Sequence, residues 1–186
     1  MIFKANLEEL IKSQGSWLEP SVNDAPVISS RIRLARNLED YHFPGWSNNN
    51  QNHAIWNQSK DLFNKIDSDY MSWKINDLKN VDKEVLFERH LISQELANKN
   101  NDCGVFVSPD ESLSIMINEE DHIRIQSLYA GLNLKNAWNL ANSIDDQLEK
   151  KIKYAYSPSL GYLTSCPSNV GTGLRASVML HLPGLV

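Results

Sequence analysis

Residues Ser165–Val178 read Ser-Cys-Pro-Ser-Asn-Val-Gly-Thr-Gly-Leu-Arg-Ala-Ser-Val, which puts a thiol, two glycines and a cation in one short segment. Cys166 lies among hydroxyls and an amide, surroundings that favour a reactive thiol over a buried structural one. Pro167 stiffens the turn. Gly171 and Gly173 let the backbone approach a ligand closely, and Arg175 adds a side chain suited to phosphate. An inert loop cysteine is the competing reading. Cys103, beside Gly104 at an expected strand start, reads as structural.

Two further segments carry charge at informative spacing. In Ser29-Ser30-Arg31-Ile32-Arg33 an extended backbone points Ser29, Arg31 and Arg33 to one face and Ile32 and Leu34 to the other. Two guanidinium groups about 7 Å apart suit a polyanion such as a triphosphate; a solvated strand face is the alternative. Asn118–Gln126 places Glu119, Glu120 and Asp121 before alternating Ile123 and Ile125. If extended pairing resumes there, Glu120, His122 and Arg124 share a face, a base beside a phosphate clamp; an acidic turn before an exposed strand is the alternative. His90 could stack on a base or simply pack, whereas His42, His53 and His181 read as ordinary histidines. Dinucleotide, P-loop, zinc-protease and Cys-x-x-Cys templates are absent.

The elements needed to position these residues follow from periodicity. Helical spacing marks residues 5–13, 52–67, 78–88 and 134–148. Val27–Leu34 reads as a strand, Val105–Val107 with Leu113–Ile117 as an antiparallel hairpin, and Arg175–Leu182 as the start of a helix. Strands that pair as hairpins predict an α+β fold, an antiparallel β-sheet flanked by helices. With 186 residues, 41% hydrophobic and 22% charged, the composition is that of an ordinary globular chain. A net charge of −5 argues against nucleic acid as the main partner. No apolar run suits a membrane span, no secretory signal is evident, and two cysteines are too few for a disulfide framework. A cytoplasmic setting is the expectation.

Four segments in order resemble the ATP:guanidino phosphotransferases, the phosphagen kinase superfamily: residues 29–37 (SSRIRLARN), 87–93 (FERHLIS), 118–126 (NEEDHIRIQ) and 166–179 (CPSNVGTGLRASVM). They span about residues 20–186, with residues 1–19 expected as a helical extension. Ser168 stands where the family commonly has Thr. The strand carrying Arg31 begins close to the N-terminus, without the helical domain that precedes it in kinases for free arginine or creatine. This matches the bacterial branch that phosphorylates arginine in proteins.

The resemblance implies that Ser29, Ser30, Arg31, Ile32, Arg33, His90, Arg124, Arg175, Ala176, Ser177, Val178 and Met179 bind ATP. Within that set, Arg31, Arg33, Arg124 and Arg175 clamp the phosphates and His90 lies near the base or ribose. Glu120 orients the target guanidinium and accepts its proton, and Cys166 as a thiolate holds that cation. Mg²⁺ rides on ATP oxygens, with no metal ligand set on the protein. Implied partners are proteins with exposed arginine, a Clp protease system and a zinc-binding activator. Family members are about twice as long, so a second carboxylate, a later arginine segment and a C-terminal helical domain are expected beyond Val186. By itself this portion is expected to be inactive and prone to aggregate. A kinase for a free guanidino compound and a non-catalytic remnant are the alternatives.

Overall fold

Two-residue alternation organises the molecule. The computed structural model describes residues 7–12, 15–18, 26–67 and 69–185. Eight strands occur among them: β1 (Val27–Arg36), β2 (Met71–Lys74), β3 (Gly104–Val107), β4 (Leu113–Ile117), β5 (Ile123–Ala130), β6 (Tyr156–Ser157), β7 (Gly161–Tyr162) and β8 (Leu174–Leu180). Six form one antiparallel sheet in the order β2-β3-β4-β5-β1-β8, and β6 and β7 form a separate hairpin. The fold is α+β, as the hairpin spacing predicted.

One face of the sheet carries most of the core. Ile32 and Leu34 of β1, Phe106 of β3, Ile115 and Ile117 of β4, and Ile123 and Ile125 of β5 pack there in a single core. Two amphipathic helices cover it. α2 (Asn49–Ile66) contributes Ile55, Trp56, Leu62 and Phe63, and α5 (Leu134–Glu149) contributes Ala137, Ala141, Ile144 and Leu148. A capping box between Asn48 and Gln51 starts α2.

Among the described residues, helices cover only half the width of the opposite face. Below β2–β4, α1 (Leu7–Lys12), α3 (Asn80–Glu88) and α4 (Gln94–Ala97) supply Leu10, Leu86 and Leu96 to a second core with Trp73, Val105, Val107 and Met116. Burial there pushes the Cys103 thiol up to about 11, as suits a structural cysteine. On the remaining half, across β5, β1 and β8, the same alternation brings up Arg124, Arg33, Arg31 and Arg175 instead of apolar side chains.

Two readings change. Arg175–Leu182 was expected to begin a helix, but Leu174–Leu180 is a strand paired along β1, because Arg175, Ser177 and Met179 alternate in register with Arg33, Arg31 and Ser29. His122 does not share a face with Glu120 and Arg124. The left-handed backbone of Asn118 (φ 56°) starts an irregular turn, and β5 begins only at Ile123. The helix expected over 5–13 is present at Leu7–Lys12, its expected ends lying outside the described residues. The short strand β2 carried too little pattern to be found beforehand.

Gly104 of β3 lets two elements meet. A Cβ there would lie 2.5 Å from Trp56 Cη2 of α2 and 2.5 Å from the Trp73 carbonyl of β2. Gly104→Ala is therefore expected to destabilise the fold by about 1–3 kcal/mol through overpacking, read as a lower urea midpoint with an unchanged slope.

Candidate active site

β1 runs between β5 and β8, so three adjacent strands deliver the site. Arg33 lies directly opposite Arg175 on β8, and Ala35 lies opposite Arg124 on β5. Like charges placed directly opposite on a sheet are unfavourable. The crowding is reflected in acidity: burial first, then Arg31, Arg124 and Arg175, hold the Arg33 guanidinium down at about 10. Burial and the charges of Arg124 and Arg175 also lower Arg31. Arg33 Nε is buried without a hydrogen-bond partner, and Arg31 Nε donates to the Ser177 hydroxyl at 3.3 Å. Arg124 is paired with carboxylates, but the crowding of Arg31, Arg33 and Arg175 concentrates positive potential on this face, an arrangement that suits an anion.

A cavity of about 350 Å³ opens between this cluster and the acidic turn, lined in part by Arg33, Arg124, Arg175, Glu95, Glu120 and Cys166. Its lining combines three guanidinium groups with two carboxylates and a thiol. A second cavity of about 250 Å³ lies further along β1, lined by Ser29, Arg31, His90, Leu128, Ser177, Val178 and Met179. The structure thus gathers most of the sequence-predicted residues around two adjoining spaces. Ser30, Ile32 and Ala176 alternate to the opposite face of the sheet. Ser30 Oγ donates to Gly131 O at 2.7 Å and accepts from Asn133 N at 2.9 Å, and Ile32 lies in the core.

The acidic turn is held from several sides. Glu119 is fully buried and accepts from Arg124 Nη1 at 2.7 Å, Ser93 Oγ at 2.5 Å and the Glu120 backbone N–H at 2.7 Å. Lys99 Nζ donates to the carbonyls of Asn118 and Glu119 behind it. Glu120 Oε2 accepts from Arg124 Nη2 at 3.0 Å, while the rest of its side chain reaches the cavity. Arg124 therefore faces both the anion cluster and the candidate base.

Asp121, also fully buried, joins the turn to the cysteine loop. Its Oδ1 accepts from Asn37 Nδ2 at 2.6 Å and from the Ser165 backbone N–H at 2.7 Å. Since Asp121 follows Glu120 and Ser165 precedes Cys166, one carboxylate oxygen ties the backbones next to base and thiol. Cys166 is partly exposed, and its Sγ lies 3.0 Å from Ser168 Oγ. Beyond it, Gly173 (φ +64°) passes so close to β1 that a Cβ would sit 2.5 Å from the Ala35 carbonyl and from Arg36 Nη1. Arg36 anchors this end. It donates to Asp145 of α5 at 3.1 and 2.5 Å and to the Thr172 carbonyl at 2.9 Å, and stacks 3.7 Å over the Tyr162 ring.

Comparison with known proteins gives this arrangement its family. A profile described as ATP:guanido phosphotransferase, C-terminal catalytic domain, matches residues 51–186. The chain belongs to this phosphotransferase family. It is 46% identical over 186 residues to the protein-arginine kinase of Shouchella clausii (strain KSM-K16), covering 97% of this chain and 52% of that protein. It is 45% identical over 176 residues to the protein-arginine kinase of Bacillus subtilis (strain 168), covering 92% and 48%. Among solved structures, lombricine kinase superposes with a TM-score of 0.75 at 25% identity, covering 94% of this chain and 52% of that one. The duplicated taurocyamine kinase from Schistosoma mansoni with bound transition-state-analogue components gives 0.80 at 26% identity, covering 94% and 27%. The chain spans about half the length of the curated relatives it matches. None of the helices formed by the described residues is long and apolar enough to cross a membrane.

Sequence reading passed over several parts of this candidate site: Glu95, Ser93 and Lys99 around the acidic turn, the Asn37–Asp121 link, and the Arg36–Asp145 pair. Only the last left a usable signal. Arg36 follows Ile32 and Leu34 on the core-facing phase of β1, and Asp145 falls in the apolar stripe of α5. Opposite charges in two core stripes imply a pair.

Removing one partner of that pair leaves a buried charge, so Arg36→Met is expected to cost about 3–5 kcal/mol in urea unfolding, with Asp145→Asn partly restoring the double variant. His122 gives a pH signature. It is buried, its Nδ1 accepts from Leu38 N at 3.0 Å, and burial lowers its pKa from 6.5 to about 4. The unfolded imidazole takes up a proton below 6.5 and the folded one does not. This contribution is therefore complete above 6.5 and is lost towards pH 4, at about 1.4 kcal/mol per unit. Urea midpoints are expected to fall between pH 7 and pH 5, and His122→Gln to flatten that limb.

Proposed function

We propose that this chain carries the ATP site and part of the guanidinium site of a kinase that transfers the γ-phosphoryl group of ATP to arginine residues in proteins. The observation that carries the reading is one cavity lined both by Arg33, Arg124 and Arg175 and by Glu120 with Cys166. A triphosphate answers the arginines, and a guanidinium answers the carboxylate and thiol. Identity of 46% to protein-arginine kinases along nearly the whole chain, against 25–26% to the lombricine and taurocyamine kinases, favours a protein-borne arginine.

The chemistry assigns the parts. Arginine's guanidinium has a pKa above about 12 and is a poor nucleophile while protonated. Glu120 accepts one of its protons as the nitrogen lone pair attacks the γ-phosphorus. The bond from that phosphorus to the β,γ-bridging oxygen breaks, and its electron pair leaves with ADP. Arg31, Arg33, Arg124 and Arg175 hold and neutralise the phosphates, and Cys166 faces the guanidinium. Positioning and charge neutralisation then do most of the catalysis. ATP fits the residues present, because the cluster leaves Arg33 Nε buried and without a partner. Mg²⁺ would shield charge from the nucleotide oxygens. Glu95, Glu119 and Glu120 bring carboxylate oxygens within 4.8 Å of one another, but Glu119 and Glu120 already engage Arg124. A cytoplasmic setting, Clp partners and an activator protein belong to the same proposal.

The product of the whole reading frame, incubated with ATP, Mg²⁺, a casein-like protein and free arginine, is expected to form acid-labile phosphoarginine on the protein. Phosphoarginine on the free amino acid alone would overturn the reading. Glu120→Gln is expected to lower kcat by about 10²–10⁴-fold, and Cys166→Ser to reduce activity severely.

A further inference from the structure

His90 has the backbone of a residue fixed for a purpose. Its φ is 58°, a left-handed conformation rare outside glycine. The conformation is over-determined: the His90 N–H donates to Phe87 O at 2.9 Å, and Gln126 Nε2 from the floor of the sheet donates to His90 O at 2.6 Å. The neighbouring Arg89 adds a two-pronged pair to buried Glu111, at 2.8 and 2.5 Å. Strain of this kind persists only where the surroundings enforce it, and it collects at ligand sites. Its result here is an imidazole at the wall of the 250 Å³ cavity beside Arg31. Burial and the Arg31 charge lower its pKa and so favour the neutral ring.

Those bonds fix the backbone of His90, while its ring is met by another element. Residues 15–18 form a turn closed by Leu18 N donating to Gly15 O at 2.9 Å, and Ser16 Oγ donates to Asp110 O at 2.7 Å. From that turn the Trp17 indole, only 7% exposed, meets the His90 imidazole edge-to-face with ring centroids 4.7 Å apart. Gly15 keeps the place open: a Cβ there would lie 3.0 Å from Trp17 Nε1. Trp17 is not among the residues lining the cavity, so it acts on a ligand only through His90.

We propose that Trp17 is a positioning residue for the nucleotide, its indole fixing the His90 ring against the base-and-ribose end of the site. The N-terminal turn is then the back wall of that end rather than an appendage. This rests on the reading of the two adjoining cavities as one ATP site.

Binding measurements on the protein separate the possibilities, with ADP probing both ends of the site and inorganic tripolyphosphate probing the arginine cluster alone. Trp17→Leu, which keeps an apolar filling but removes the aromatic edge, is expected to weaken ADP roughly two- to tenfold while leaving tripolyphosphate unchanged. Trp17→Phe is expected to restore most of the loss. In a His90→Ala background, Trp17→Leu should have no further effect on ADP. Equal weakening of both probes, or the same loss of ADP affinity with and without His90, would overturn the proposal and leave Trp17 a packing residue. The parent reading fails separately, and this proposal with it, if ADP and tripolyphosphate do not compete or if His90→Ala leaves ADP affinity intact.

Discussion

The register of β1 between β5 and β8 is the constraint on which the rest depends. Its alternation sends Ile32 and Leu34 into the core beneath α5 and sends Arg31 and Arg33 to the other face. A slip of one residue would bury the guanidinium groups and expose the aliphatic side chains, so the core enforces the position of the site. Both neighbouring strands are read in the same phase. Arg124 and Arg175 therefore arrive on the arginine face without any interaction among the cations to bring them there.

That arrangement works against folding locally. Four cations share one surface, two of them directly opposite, and burial together with their mutual repulsion holds Arg33 down at about 10. The opposition is met on the side of the acidic turn, where Arg124 bridges Glu119 and Glu120. The two carboxylates differ in setting: Glu119 is sealed among Ser93, Arg124 and backbone, whereas Glu120 retains access to the cavity. Burial thus separates the sealed acid from the one that lines the cavity and is proposed as the base. An incoming polyphosphate would compete for Arg124 with the same group proposed to act as base, which couples the two halves of the site through a single side chain.

The cysteine loop shows how irregular backbone is held without a regular element. Asp121 anchors it at Ser165, and Arg36 anchors it at Thr172. Both anchors are charged groups deep in the structure: Arg36 donates to Asp145 and to two backbone carbonyls, and Asp121 accepts two bonds through Oδ1 while its Oδ2 is buried without a partner. One of them is also the ion pair joining β1 to α5. A loop fixed in this way can keep a thiol at one point in space while its own side chains remain largely exposed.

Most of the fold was legible because hydrophobic periodicity is local: α2, α5 and the β3–β4 hairpin stand in their own spacing, and so does the split of β1 into a core face and an arginine face. The candidate residues were legible because Arg31, Arg33, Glu120, Cys166 and Arg175 sit in compact motifs. Leu174–Leu180 was misread because a short segment of mixed polarity fits either period, and only the open edge of β1 makes it a strand. His122 was misplaced because one left-handed residue, Asn118, breaks an alternation that letters alone continue. What the amino-acid order determined by itself, then, was which faces are apolar and which residues could do chemistry. Which of them meet was decided by tertiary structure: Trp17 against His90, Asp121 against Ser165, Arg36 against Asp145. Those contacts join residues 44 to 109 positions apart, and two distant side chains share a site only when the packing of the elements between them brings them together.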